Sequence, residues 1–218
     1  MPTVLIHNQS GGSGKIYNVW SESPGVSGGG FQSTKSMVWY KSRPLANNAQ
    51  DVFRFSPEYY AFVGSSESGS SQLPNGDNIY LQDSEQVKLG TQLDDGNRFI
   101  VDKNLNTSLM DSNAVNGNFR ILSKADVQSP NRNVVGLARL QDGESMPAPV
   151  AAVELKRGVG IGFSPKQGVI VSSTTWEQGT VQSLDGGDYK QMKVEFNGSQ
   201  SKAIVSETSS GDFKVSYK

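Results

Sequence analysis

In the windows of this chain richest in apolar residues, those residues recur at every second position and not at the three- and four-residue spacing of a helix. Near the C-terminus Phe213, Val215 and Tyr217 alternate with Asp212, Lys214 and Ser216, and Met192, Val194 and Phe196 alternate with Lys193, Glu195 and Asn197. Strands of this kind keep one face in a core and the other in water, as antiparallel sheets do. In a third run Val159, Ile161 and Phe163 alternate with Gly158, Gly160 and Gly162, leaving the second face without side chains and open to close approach. The pattern predicts an all-β protein built as an antiparallel β-sandwich.

Turn pairs that tolerate positive φ separate the runs: Asn75-Gly76, Asp95-Gly96, Asn116-Gly117, Asp142-Gly143, Asp185-Gly186 and Asn197-Gly198. Two segments half a chain apart read alike. Val52-Phe53-Arg54-Phe55-Ser56-Pro57 precedes a second apolar run, and so does Gly160-Ile161-Gly162-Phe163-Ser164-Pro165. Each proline lies between two strand-like runs, where it cannot donate to a ladder and marks a bend or a strand start. A weaker echo links Gly90–Gly96 with Gly179–Gly186. These likenesses predict an internal duplication into two tandem sandwich units, 1–107 and 117–218. The polar stretch 108–116, which lacks clear alternation, would join them.

At 218 residues and 35 % hydrophobic content the chain can bury a substantial core. Its charges nearly cancel, 20 basic against 21 acidic, and no basic face is visible, so nucleic acid has no electrostatic hold on it. The absence of cysteine, a first segment that opens at once with strand alternation, and the lack of an apolar run of membrane-spanning length predict a cytoplasmic protein without a transmembrane segment.

Catalytic groups are scarce. His7 is the sole histidine, set inside the first predicted strand with no nucleophile motif around it; an exposed strand residue is the simpler reading. A hard cation such as calcium or magnesium would look to acidic turns, Asp94-Asp95-Gly96-Asn97 or Asp185-Gly186-Gly187-Asp188, though neither has EF-hand spacing and both are ordinary hairpin chemistry. Scattered glutamates such as Glu58, Glu154 and Glu195 leave a carboxylate hydrolase without a nominated pair. The glycines at 158, 160 and 162 do not make a dinucleotide loop, because Phe163-Ser164-Pro165 follows instead of a helix. Aromatic residues are more suggestive. Trp39-Tyr40 and Tyr59-Tyr60 fall in strands, where neighbours face opposite ways, so one of each pair enters the core. Trp176 lies in a polar run. These five are the candidate ligand-binding residues, because flat rings on a β surface suit sugars, lipid headgroups or a planar pigment.

The segments Phe55–Gly64, Met146–Val153 and the opening Val4–Gly11 give the chain a likeness to known proteins. It resembles a loose group of small, cysteine-free fungal β proteins, one of which is a pigment-bearing chromoprotein. The resemblance implies a two-part β-sandwich, non-enzymatic, holding a small indole-type pigment with a metal ion nearby. It assigns no ligand residues. The competing expectation is an intracellular fungal lectin or defence protein that binds glycans or lipid headgroups. Either kind of protein is compatible with a homodimer.

Overall fold

The computed structural model describes residues 1–29, 34–70, 72–127, 132–183, 189–197 and 199–218. Among them there is no helix, so none is long and apolar enough to cross a membrane. The described strands run in chain order β1 (Thr3–Asn8), β2 (Asn18–Ser21), β3 (Gly25–Gly28), β4 (Lys35–Met37), β5 (Tyr40–Lys41), β6 (Gln50–Ser66), β7 (Ile79–Gln86), β8 (Gly96–Val101) and β9 (Thr107–Ala114). They continue with β10 (Phe119–Ser123), β11 (Asn133–Gln141), β12 (Ala148–Glu154), β13 (Gly160–Ser164), β14 (Val169–Ser172), β15 (Val181–Gln182), β16 (Gln191–Val194), β17 (Lys202–Glu207) and β18 (Phe213–Tyr217).

Three sheets result. The largest runs β15-β4-β12-β11-β6-β1-β17-β18 with β7 also on β6, the second runs β3-β13-β10-β8-β9, and the third β16-β14-β2-β5. Among the described strands pairing is antiparallel as expected except that β1 lies parallel to β17 and β10 parallel to β8. Period-two patterning fixes which face a strand buries but not the direction of its neighbour, so these parallel pairs left no mark in the sequence. One apolar cluster takes side chains from all three sheets, among them Val4, Val19, Phe55, Phe119, Leu137, Phe163, Val171 and Val205. A smaller one around Met37, Phe62, Val134, Ala138 and Val181 covers the opposite face of β11 and β6. That double covering explains why β11 reads as an almost unbroken apolar run, Val134 to Leu140.

The two Phe-Ser-Pro elements occupy unlike settings. In β6 the chain stays in one long strand, which pairs with β1 before the bend and with β11 and β7 after it. Phe55 stands opposite Gln141 and Tyr59 opposite Arg139, so four steps on β6 match two on β11. The two extra residues are an even number, and Phe53, Phe55, Tyr59, Ala61 and Val63 therefore all face the main core. The second element instead ends β13, and the chain leaves for β14 in another sheet. The stretch expected as a linker, 108–116, lies mostly in β9, which pairs with β8 at the edge of its sheet. Nearly all of β9 between its ends is open to water, and a strand wet on both faces has no reason to alternate. The glycine face of β13 is covered by two neighbours: a Cβ at Gly160 would stand 2.8 Å from the Arg120 Nε, and one at Gly162 would stand 2.7 Å from the Ser27 hydroxyl.

Candidate ligand site

Positions 135, 137 and 139 of β11 point into the main core, and the third of them is an arginine. Arg139 is 1 % exposed. Its guanidinium carbon sits 4.6 Å from the ring centre of Phe55, 4.7 Å from Trp39 and 5.1 Å from Tyr59. Bulges flank it on both sides. On β6 the bend carries Pro57, and on β12 one extra residue intervenes between Ala151, opposite Leu137, and Pro149, opposite Ala138. Prolines suit such places because they have no N–H to give to a ladder, and bulges commonly re-aim side chains beside functional sites. Further rings brace the cage: Trp39 meets Phe53 at 4.9 Å and Phe55 at 5.2 Å, and Tyr40 lies 5.0 Å from Phe53.

A buried guanidinium is costly unless its charge and donors are matched. Cation–π contact with three rings supplies part of the compensation, about 2 kcal/mol for a desolvated pair. Arg139 Nη1 donates to the Ser21 hydroxyl at 3.1 Å. Among the described residues no carboxylate pairs with it. Arg139 Nε, Trp39 Nε1 and the Tyr59 hydroxyl are buried and have no hydrogen-bond partner among the described residues. Burial pulls the guanidinium down to about 10, with Tyr59 acting the other way, so it keeps its proton at neutral pH. Burial also raises the Tyr59 hydroxyl, against the charge of Arg139 and together with that of Glu22.

Glu22, the residue after Ser21, turns instead to a cleft of about 280 Å³ lined by Glu22, Lys166, Gln167, Gly168, Phe196 and their neighbours Glu195 and Asn197. Lys166 Nζ lies 3.1 Å and Lys193 Nζ 3.0 Å from the Glu22 carboxylate. Burial opposes ionisation of Glu22, but the hydrogen bonds from Lys193 and Lys166 outweigh it and hold the carboxyl below its usual range. Phe196 reaches back to Phe55, 6.0 Å between ring centres, so the rear of the cleft adjoins the arginine cage. The residues after the second Phe-Ser-Pro element thus line the opening, and the first element supplies the wall behind it. Gly168 makes room there: a Cβ would stand 2.4 Å from Glu22 Oε2. Gly168→Ala is expected to displace that carboxylate from its lysines and raise its pKa toward the ordinary glutamate value. A carboxyl-detected NMR titration reads this directly, and an unchanged Glu22 midpoint would contradict it.

Of the five residues expected to bind a ligand, Trp39, Tyr40 and Tyr59 come together around Phe53, Phe55 and Arg139. The Tyr40 hydroxyl donates to Asp51 at 2.7 Å, and burial followed by that carboxylate raises its pKa. Tyr60 faces the smaller cluster, its hydroxyl 3.2 Å from Glu58. Trp176 stands apart, edge-on to Trp20 at 5.6 Å and Tyr189 at 5.0 Å, with its backbone N–H and carbonyl both bonded to Asn18. Arg139 and Phe55 did not figure among the sequence candidates. The available signal was a lone charge inside Val134–Leu140. His7 Nε2 lies 3.3 Å from the Asn48 carbonyl oxygen on half-exposed β1. Among the described residues no three or more His, Asp or Glu side chains gather as metal ligands. In the acidic turn at 94–97, Asp94 pairs with Lys88 at 3.5 Å and Asn97 accepts from the Lys88 N–H. The turn at 185–188 lies outside the described residues.

No protein-family model, no curated protein and no solved structure matches the chain.

Proposed function

We propose that this chain is a non-enzymatic binding protein for a small, flat, acidic molecule, with Arg139 as its charge partner. One observation carries the reading: a buried, protonated arginine with no carboxylate paired to it among the described residues, in a cage where Arg139 Nε–H, Trp39 Nε1–H and the Tyr59 hydroxyl all lack partners among those residues. Indole and guanidinium N–H groups can only donate, so the missing partner is an acceptor. Among the described residues the charge inside the cage itself is that of Arg139, which favours an anion. The walls are aromatic rings, which favours a planar body. Entry would be through the Glu22–Phe196 cleft, at whose rim Lys166 and Lys193 are matched by Glu22 and Glu195.

The resemblance to cysteine-free fungal β proteins agrees with this reading, because an indole-type pigment bearing a carboxylate has the required shape and charge. The scaffold would be a sandwich whose sheets close on one core. An internal duplication is not required, since the two Phe-Ser-Pro elements contribute different parts of one site.

Two measurements test the proposal. The first is an absorption spectrum and mass analysis of protein purified from its natural source, which should reveal a retained aromatic acid. The second titrates recombinant protein with indole-3-carboxylate and follows tryptophan emission, with neutral indole as control. Quenching by the acid at about micromolar concentration, and far weaker quenching by indole, is the expected result. A protein that carries nothing and does not distinguish the two probes would overturn the reading.

A further inference from the structure

A second cleft lies on the far side of the β3-β13-β10-β8-β9 sheet. Its volume is about 250 Å³, just below the range of pockets for drug-sized ligands. Ser27, Asn113, Val115, Asn118, Arg120 and Gly162 line it. Along this outer face the register places Ser27 opposite Gly162, Gly162 opposite Arg120, and Arg120 beside Arg98. The two arginines differ in one respect. Arg98 forms a two-pronged pair with Asp111, whereas among the described residues no acid meets Arg120. The patch therefore carries one unmatched positive charge.

The chain has built a bed for that charge. The Arg120 guanidinium lies across the glycine face of β13, with its Nε, Cζ and Nη2 at 2.8, 3.1 and 2.9 Å from where a Gly160 Cβ would stand. Any other residue at position 160 would lift it away. A guanidinium with no carboxylate partner can take a planar oxyanion in two parallel hydrogen bonds. Around it Ser27 and Asn113 make no side-chain hydrogen bonds among the described residues, and Asn118 uses its amide N–H once, on the Asn116 carbonyl. Val115, 71 % exposed, gives the cleft an apolar edge.

We infer that this cleft is a separate site for a small acidic sugar, whose carboxylate or sulfate pairs with Arg120 and whose hydroxyls meet Ser27, Asn113 and Asn118. The amide and hydroxyl groups both donate and accept, as a ring of hydroxyls requires, and the cleft has room for a single ring. The Arg139 cage takes no part in it, and neither reading depends on the other.

The test is a titration of isotope-labelled full-length protein with glucuronate, glucose and inorganic sulfate, read from backbone amide shifts. Glucuronate is expected to move the amides of Asn118, Arg120 and Gly162 with an affinity of about a millimolar, and glucose to bind about tenfold more weakly or not at all. Arg120→Ala removes the guanidinium. Gly160→Ala keeps it but pushes it off its bed, and either change is expected to weaken glucuronate about tenfold. Position 120 is exposed and the Gly160 contacts are to a flexible side chain, so both variants should fold, which near-UV circular dichroism checks. Should Gly160→Ala fail to fold, Arg120→Ala decides alone. Equal glucuronate affinity in wild type and Arg120→Ala, or shifts confined to other parts of the chain, would overturn the site. Sulfate binding as tightly as glucuronate would overturn its assignment to a sugar.

Discussion

Arg139→Met is expected to weaken indole-3-carboxylate binding by ~100-fold or more while leaving the folded protein at least as stable as the wild type. The two halves of this prediction rest on different physics. A carboxylate that reaches the cage exchanges water for a charged, two-pronged donor in a dry aromatic setting. Removing one partner of such a pair typically costs ~2–5 kcal/mol of binding, mostly because the other charge is left buried and unmatched. Folding of the empty protein runs the other way. Arg139 there has one hydrogen bond, to Ser21, and no counter-charge among the described residues, so its desolvation is compensated mainly by three rings. Methionine fills similar length, is flexible enough to follow the cage walls and brings favourable sulfur–ring contacts. Replacing buried ionic groups with apolar ones of like volume is often neutral or stabilising. Arg139→Lys separates charge from shape: it keeps the positive charge but loses the planar fork and the stacking, so binding should fall to an intermediate level. Fluorescence titration and thermal melts of the three proteins check the set. Undiminished binding by Arg139→Met would sink the assignment of Arg139 as the charge partner. A large loss of stability in that variant would instead make the arginine a structural plug held by its rings.

The cage also marks where sequence reasoning stops. The alternation of Phe53, Phe55 and Tyr59, the bend at Pro57 and the placing of Tyr59 and Tyr60 on opposite faces follow from period-two geometry, and the all-β class follows with them; the expected division of Trp39 from Tyr40 does not hold, because Trp39 lies between β4 and β5 and both rings pack on Phe53. What period two cannot give is which strand lies next to which. Phe55, Tyr59 and Arg139 meet only because β6 and β11 are neighbours, and Phe196 joins them from the far end of the chain. The parallel pairing of β1 with β17 joins residues about two hundred positions apart, which no local signal announces. Arg139 did not figure among the candidates for a related reason. A charge in an apolar run reads as a face turned to water until a second covering layer is known to lie over that strand. The edge strand β9 failed in the opposite sense, because exposure on both sides removes the alternation by which a strand is recognised.

Gly136→Ala should be the most damaging single-methyl change described for this chain, with an expected loss of about 4 kcal/mol or more, or failure to fold. Gly136 sits midway along β11, between Phe62 on β6 and Ala152 on β12. A Cβ there would stand 2.0 Å from the Ala151 carbonyl oxygen and 2.8 Å from the Phe62 ring. The first contact decides the outcome, because it is with backbone. Ala151 is held in the ladder on both sides, opposite Leu137 on β11 and Ser36 on β4, and it cannot give way without breaking pairs in the middle of the largest sheet. A close-packed interior transmits such a strain and does not absorb it. Gly160→Ala is the internal control: the three atoms nearest its added methyl all belong to the flexible end of Arg120, so the same chemical change should there cost little stability. Urea unfolding of both variants measures the contrast. If Gly136→Ala unfolded at the wild-type midpoint with the wild-type slope, β12 could not lie against β11 in the register that places Ala151 and Pro149 beside the arginine strand, since β11 carries both Gly136 and Arg139.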